Sequence, residues 1–183
     1  MVGPLLTRTQ RFVRLSSIRW GYVALLALAA AGGAEAESGG DIPLRVAVIY
    51  NIVQFVQWPE EGGTGREFQF CVVEGDDLAA GFAVLDNQLL GNRRIRIRGT
   101  VAGRLAGCDA AYLPAAAFAA ARPREPAMLT VSSGHGLVDQ GAMVNLVMDG
   151  KRVGFDIGLG TLRRAGLSMS AKVLRLARYV KED

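Results

Sequence analysis

Two cysteines constrain this chain more than any other residues, because both lie beyond a segment that reads as an export signal. Cys71 falls within the apolar run Phe68-Gln69-Phe70-Cys71-Val72-Val73, and Cys108 directly precedes Asp109-Ala110-Ala111-Tyr112-Leu113. Upstream, Met1 to Trp20 carries Arg8, Arg11, Arg14 and Arg19 and no acid, Gly21 to Ala31 is a short apolar run, and Ala34-Glu35-Ala36 supplies an A-x-A site. That order describes a cleavable secretory signal over residues 1–36. A membrane helix needs about 18 or more apolar residues, so an uncleaved anchor is the second reading. No cysteine follows the run for lipid attachment, and no Arg-Arg pair precedes it for twin-arginine export. An oxidising compartment and an even cysteine count together predict a Cys71–Cys108 disulfide. Both flanking segments read as strands, and neighbouring strands stand about 4.7–4.9 Å apart, which suits the Cα separation of a disulfide. A redox-active pair is the alternative, but the sequence has no C-x-x-C and no cationic cluster beside either cysteine.

Removal of the signal also changes the charge. The whole chain of 183 residues has 21 basic and 17 acidic side chains. Without Arg8, Arg11, Arg14, Arg19 and Glu35, 17 basic residues face 16 acidic ones. A nearly neutral domain has no electrostatic case for nucleic acid. Residues 37–183 are the right length for one domain around one core.

Hydrophobic periodicity organises that domain. Asp41-Ile42-Pro43 reads as a helix start, and Leu44 to Trp58 as an apolar helix with Leu44, Val48, Ile52 and Phe55 at helical spacing. A helix this apolar is buried in the fold or against a partner. Glu60 to Gly65 reads as a Gly-rich turn. Leu78 to Leu90 follows as a helix with Leu78, Phe82 and Leu85 on one face. Ile95 to Thr100 alternates as a strand, with Ile95 and Ile97 inward and Arg94, Arg96 and Arg98 on the opposite face. A short alanine-rich helix begins at Leu113-Pro114 and stops before Arg122-Pro123, and Met128 to Val131 is another strand. Met143 to Met148 and Arg152 to Ile157 flank Asp149-Gly150, a hairpin signal. Leu162 to Leu167 and Ser170 to Val180 read as helices, the last with Val173, Leu174, Leu176, Ala177 and Val180 inward. The predicted fold is α/β: a single domain with a mixed sheet flanked by helices, stapled by one disulfide.

Catalytic machinery is not evident in the pattern. His135, the only histidine, sits between glycines in a loop, without the nucleophile elbow or second histidine that hydrolytic or zinc chemistry would need. Gly158-Leu159-Gly160 lacks the third glycine of a dinucleotide loop, where Arg163 stands instead. Glu74, Asp76 and Asp77 could hold a cation, but acids at a helix start also cap it, and the capping reading is preferred. The Arg94, Arg96 and Arg98 face either grips an acidic partner or an anionic ligand, or protects a strand edge. Asp156 interrupts an apolar strand between Phe155 and Ile157, and alternation places it on the solvent face. No cofactor or metal is expected.

Read in order, Tyr50-Asn51, Phe55-Val56-Gln57-Trp58-Pro59, Phe70-Cys71-Val72-Val73, Cys108-Asp109, Leu129-Thr130-Val131, Gly141-Ala142-Met143-Val144, Val153-Gly154-Phe155-Asp156-Ile157 and Lys172-Val173-Leu174-Arg175-Leu176-Ala177 resemble the YfiR family of periplasmic proteins. The resemblance runs from about Leu44 to Val180. It implies a non-enzymatic, dimeric periplasmic regulator that inhibits an inner-membrane diguanylate cyclase through the cyclase's periplasmic sensor region. Cys71 and Cys108 match the family's cysteine pair. The chain departs from the family pattern at Asp156 and Gly158, where a glutamate and an asparagine are usual, and at Ala142, which replaces a glycine. Trp58, Phe155 and Asp156, with Arg94, Arg96 and Arg98, are the candidate partner or ligand surface, and a small-molecule effector is possible. The alternative function is a small-ligand-binding accessory module of another membrane sensor or an uptake receptor. An exported hydrolase is a third class, for which no residue set speaks.

Overall fold

The computed structural model describes residues 41–59, 66–121 and 126–183. The signal segment 1–36, its cleavage site and the Gly-rich turn at 60–65 lie outside those residues. The described chain belongs to one compact unit, Ser38–Asp183. Its strand-rich stretches pair, among the described residues, into an eight-stranded mixed sheet and a small two-stranded ladder.

Helix α1 spans Ile42–Val53 and enters through Pro43 in its first turn, where the missing N–H costs nothing. Asp41 precedes it without a side-chain capping bond. Strand β1, Val56–Gln57, follows at once, so the predicted helix to Trp58 is too long. Val56 and Gln57 pair antiparallel with Met169 and Ser168 of β9, Ser168–Met169. Phe55 accepts a backbone bond from Ser170 at 3.1 Å. A partner more than a hundred residues away thus captures the last apolar residues, which no local periodicity signals. The buried face of α1 is also shifted. Val46, Ile49, Ile52 and Val53 point inward, whereas Leu44 and Phe55 are 50% and 44% exposed.

Strand β2, Phe68–Val73, lies between β4, Arg93–Thr100, and β5, Ala110–Pro114, and runs parallel to both. Between β2 and β4 the predicted single helix is instead α2, Asp77–Gly81, a 3-10 turn at Phe82–Leu85, and the short strand β3, Leu89–Leu90. Leu78, Phe82 and Leu85 are inward, as the spacing predicts. Helix α3, Ala115–Ala121, leads to β6, Leu129–Ser133, and a 3-10 turn at Val138–Gln140 leads to β7, Val144–Asp149. The hairpin to β8, Arg152–Gly158, forms where expected. Its loop is Gly150-Lys151, because Asp149 still pairs with Arg152. Gly150 has φ +59° at the first loop position, a conformation that costs glycine least. Helix α4, Leu159–Arg164, then β9, then α5, Ala171–Leu174, end in β10, Tyr179–Lys181, which runs parallel to β8. The predicted final helix, Ser170 to Val180, is therefore one turn and a strand. Val173 is buried as expected, but Leu176 is exposed.

The sheet order is β10-β8-β7-β6-β5-β2-β4-β3. One face is covered by α1, α2, α4 and α5, around Phe68, Phe70, Ile95, Tyr112, Val131, Val144 and Ile157. The other carries Cys71, Ala111 and Leu113 under α3, with Leu105, Met128 and Leu137 closing the layer. Apolar residues on both faces of β2 and β5 follow from this sandwich, as parallel strands require. The predicted disulfide is present: Cys71 on β2 and Cys108 in the loop before the adjacent strand β5 are bonded with Cα atoms 5.8 Å apart, at a sequence separation of 37.

Candidate functional site

The candidate surface residues fall in three places, one of them Trp58, which follows β1. Arg94, Arg96 and Arg98 project from β4. Phe155 and Asp156 lie on β8, five strand positions away in the sheet, or roughly 24 Å at 4.8 Å per strand. The structure does not bring them into one surface.

On β4 the arginines are engaged within the domain. Arg94 Nη1 donates to the Asn87 carbonyl at 2.9 Å. Arg96 donates to Glu67 Oε1 at 2.7 Å and to Asn87 Oδ1 at 2.8 Å, with Asp86 3.8 Å away. Arg98 Nη2 donates to the Ala106 carbonyl at 3.0 Å and lies 3.2 Å from Cys71 Sγ and 3.0 Å from Cys108 Sγ. The sequence shows no cation beside the cysteines, but the parallel register sets Arg98 opposite Cys71 and its guanidinium over the disulfide.

Trp58 is half-buried. Its indole N–H donates to the Asp109 carbonyl at 3.2 Å, and its ring meets Phe68 edge-on at 5.1 Å. Asp109, which sequence reading passed over, is the hub of this corner. Its carboxylate accepts from Arg66, from Arg93 Nη2 at 2.8 Å and from the Gln69 N–H at 2.8 Å. Arg93 also lies over the Phe68 ring, 4.9 Å from its centroid. One signal was available: Arg93 shares the parity of Ile95 and Ile97, so an arginine on that face needs an internal partner.

Asp156 corrects the alternation argument. It is 4% exposed, and Arg178 binds it at 3.1 and 3.5 Å. Both faces of β8 are covered, so parity does not sort inward from outward there. Phe155 on the other face is half-buried against the core. Gly158 is held by close approach: a Cβ there would stand 2.3 Å from the Ala142 carbonyl oxygen. Two of the three departures from the family pattern, Ala142 and Gly158, therefore adjoin, and an asparagine at 158 has no room with this backbone.

At the carboxyl end of the sheet, Asp76 does cap α2. Its Oδ1 accepts from the Ala79 N–H at 3.0 Å, and Oδ2 accepts from the Tyr112 hydroxyl at 2.5 Å. Burial holds the Tyr112 phenol well above its ordinary value, and the bond to Asp76 and that carboxylate's charge add to the rise. Arg45 Nη2 donates to Ser133 Oγ at 2.5 Å. His135 is exposed in its loop. Among the described residues no cluster of histidine, cysteine, aspartate and glutamate could hold a metal, and no helix is long and apolar enough to cross a membrane.

The family model described as YfiR/HmsC-like matches residues 43–178, nearly all of the described chain. The chain belongs to the YfiR/HmsC-like family. Proteins of curated function yield no match. Among solved structures, the chain is similar to a conserved domain protein from Vibrio cholerae O1 biovar El Tor at 13% identity and TM-score 0.47. It is similar to the ABC domain in complex with L-Trp from Streptococcus pneumonia at 11% identity and TM-score 0.46. Each likeness covers 76% of this chain and 60% of the other. In this YfiR/HmsC-like chain Cys71, on the central strand β2, is bonded to Cys108 in the loop before β5, with Arg98 against the bond.

Proposed function

We propose that this chain is a periplasmic regulator, exported by a signal ending at Ala36. In this reading it inhibits an inner-membrane diguanylate cyclase through the cyclase's periplasmic sensor region and so lowers cyclic-di-GMP signalling. Membership of the YfiR/HmsC-like family over residues 43–178 carries the reading. A regulatory rather than catalytic role is supported by what the acids do: Asp76 caps a helix and accepts from Tyr112, Asp109 holds two arginines, and Asp156 holds a third. These are load-sharing contacts within the fold.

Inhibition of this kind requires the regulator to bind the two cyclase states with different affinity, since equal binding shifts nothing. With the candidate residues split across the sheet, we place the partner contact at β8 and β10. There Phe155 is half-buried, and the Arg178 side chain, 47% exposed, carries a charge only partly enclosed by Asp156. The regulator acts as a homodimer in this reading, which light scattering on the purified protein would check.

The deciding experiment deletes the coding sequence and measures cellular cyclic-di-GMP. A rise that the wild-type chain reverses supports the reading, and an unchanged level overturns it. Recovery of a cyclase from membranes by the tagged protein, weakened by Phe155→Ala, would locate the contact.

A further inference from the structure

Beyond the regulatory reading, and independent of it, a concave site opens where β4 ends. Arg98, Thr100, Gly103, Arg104, Leu105 and Ala106 line a cleft of about 420 Å³. That volume lies within the range of about 300–1,000 Å³ usual for small-molecule sites. Its wall is the loop 101–106, folded back on the strand by local bonds. Thr100 Oγ1 donates to the Arg104 carbonyl at 2.8 Å, Arg98 Nη2 to the Ala106 carbonyl at 3.0 Å, and the Arg104 N–H to the Val101 carbonyl at 2.9 Å. Leu105 anchors the loop in the second core layer at 4% exposure, next to the disulfide-linked strands. The cleft is thus shaped before any ligand arrives.

Its charge is unbalanced. Arg66, Arg93, Arg96, Arg163 and Arg178 each pair with a carboxylate. Arg98 and Arg104, like Arg45, Arg94, Arg152, Arg164 and Arg175, pair with no carboxylate among the described residues, and no acid lines the cleft. Arg98 spends Nη2 on a carbonyl and two sulfurs, which fixes its plane and leaves Nε and Nη1 without a partner among the described residues. A guanidinium tethered through one nitrogen, with a second arginine in the same lining, supplies the donors that oxyanions recognise.

We propose that this cleft binds the carboxylate or phosphate group of a small anionic molecule, held between Arg98 and Arg104.

The test is a backbone-amide NMR titration of the purified protein with inorganic phosphate and, separately, with succinate, at constant ionic strength against chloride. The expected result is saturable shifts confined to residues 98–106 with at least one probe, and the probe that saturates identifies the preferred oxyanion. Arg104→Gln, whose exposed side chain bonds to nothing else among the described residues, should weaken that binding about tenfold, the loss expected for one charge-assisted hydrogen bond. Gly103→Val provides the second variant. A Cβ at Gly103 meets no atom within 4 Å, so a valine at this lining position fits without a clash. It should also weaken binding while leaving the thermal midpoint unchanged. Shifts that never saturate with either probe, or that persist unchanged in both variants, overturn the proposal.

Discussion

The two sides of the sheet are held by different means. Around β2, β4 and β5, a disulfide, a buried carboxylate with two arginines and a cation–aromatic contact lock three parallel strands together. Around β8 and β10 the outer strand is three residues long, and its polar ties are the half-exposed Arg178 on Asp156 and Lys181 on the exposed Asp139. Both sides bury apolar residues, so the contrast lies in covalent and charge fixation. Cross-links limit the opening of a region, whereas a short edge strand opens at low cost. The side that stays closed shapes a cleft, and the side that can open is where we place a state-selective partner.

The largest effect should come from the bond itself. Replacing Cys71 and Cys108 together with alanine should cost about 4 kcal/mol by the chain-entropy argument for a loop of this length, read as a fall in the urea midpoint. A loss below about 1 kcal/mol would mean the polar network, and not the bond, distinguishes the two sides. Next, Asp109→Asn leaves Arg93 nearly buried beside a neutral amide and should cost about 3 kcal/mol. If the loss is no greater than that of an exposed ion pair, the hub is not a fixation point.

Gly158→Ala tests whether the β8 side is uniformly soft. The methyl group is forced against the Ala142 carbonyl, and overpacking of this kind costs about 1–3 kcal/mol. A neutral outcome would show that β8 and the segment before β7 separate freely. Tyr112→Phe removes the bond to Asp76 and should cost about 1 kcal/mol at neutral pH. The phenol's raised pKa adds a pH signature. Unfolded chains ionise a tyrosine near pH 10 while the folded chain keeps its proton, so this contribution is complete below pH 10 and lost as pH rises above it. The phenylalanine variant should lack that part of the alkaline decline, and an identical profile would remove Tyr112 as its source. Smallest in equilibrium stability is Arg178→Gln, about 1 kcal/mol or less for a half-exposed pair. Its clearer readout is hydrogen exchange: β10 amides should exchange faster with β2 unchanged, and equal acceleration on both sides would dissolve the comparison.

Much of this was legible in the sequence wherever the signal was local. The cysteine pair in two apolar runs, the parity that sets Ile95 against Arg94 and Arg96, the Asp76 cap and the β7–β8 hairpin each depend on a few neighbouring residues. So do the α/β class and the family membership, which rest on the order of such blocks. The candidate site was less legible. Trp58 and Asp156 stand out as a large aromatic and an acid in apolar surroundings, yet each turns out to be occupied by a partner, Asp109 or Arg178. Arg98 reads as one of three equivalent arginines until the register places it beside the sulfurs, and Arg104 carries no pattern at all.

The sequence by itself determined the Cys71–Cys108 pairing, the alternation of helices and strands, and which residues are apolar enough for a core. The tertiary structure alone decided that Val56-Gln57 and Tyr179 to Lys181 become strands, that Asp156 is buried, and that the Arg98 guanidinium lies against Cys71. The physical reason is range. Helical and strand periodicity record the preferences of adjacent residues, while strand capture, double-sided burial and the meeting of charges are fixed by partners tens to more than a hundred positions away.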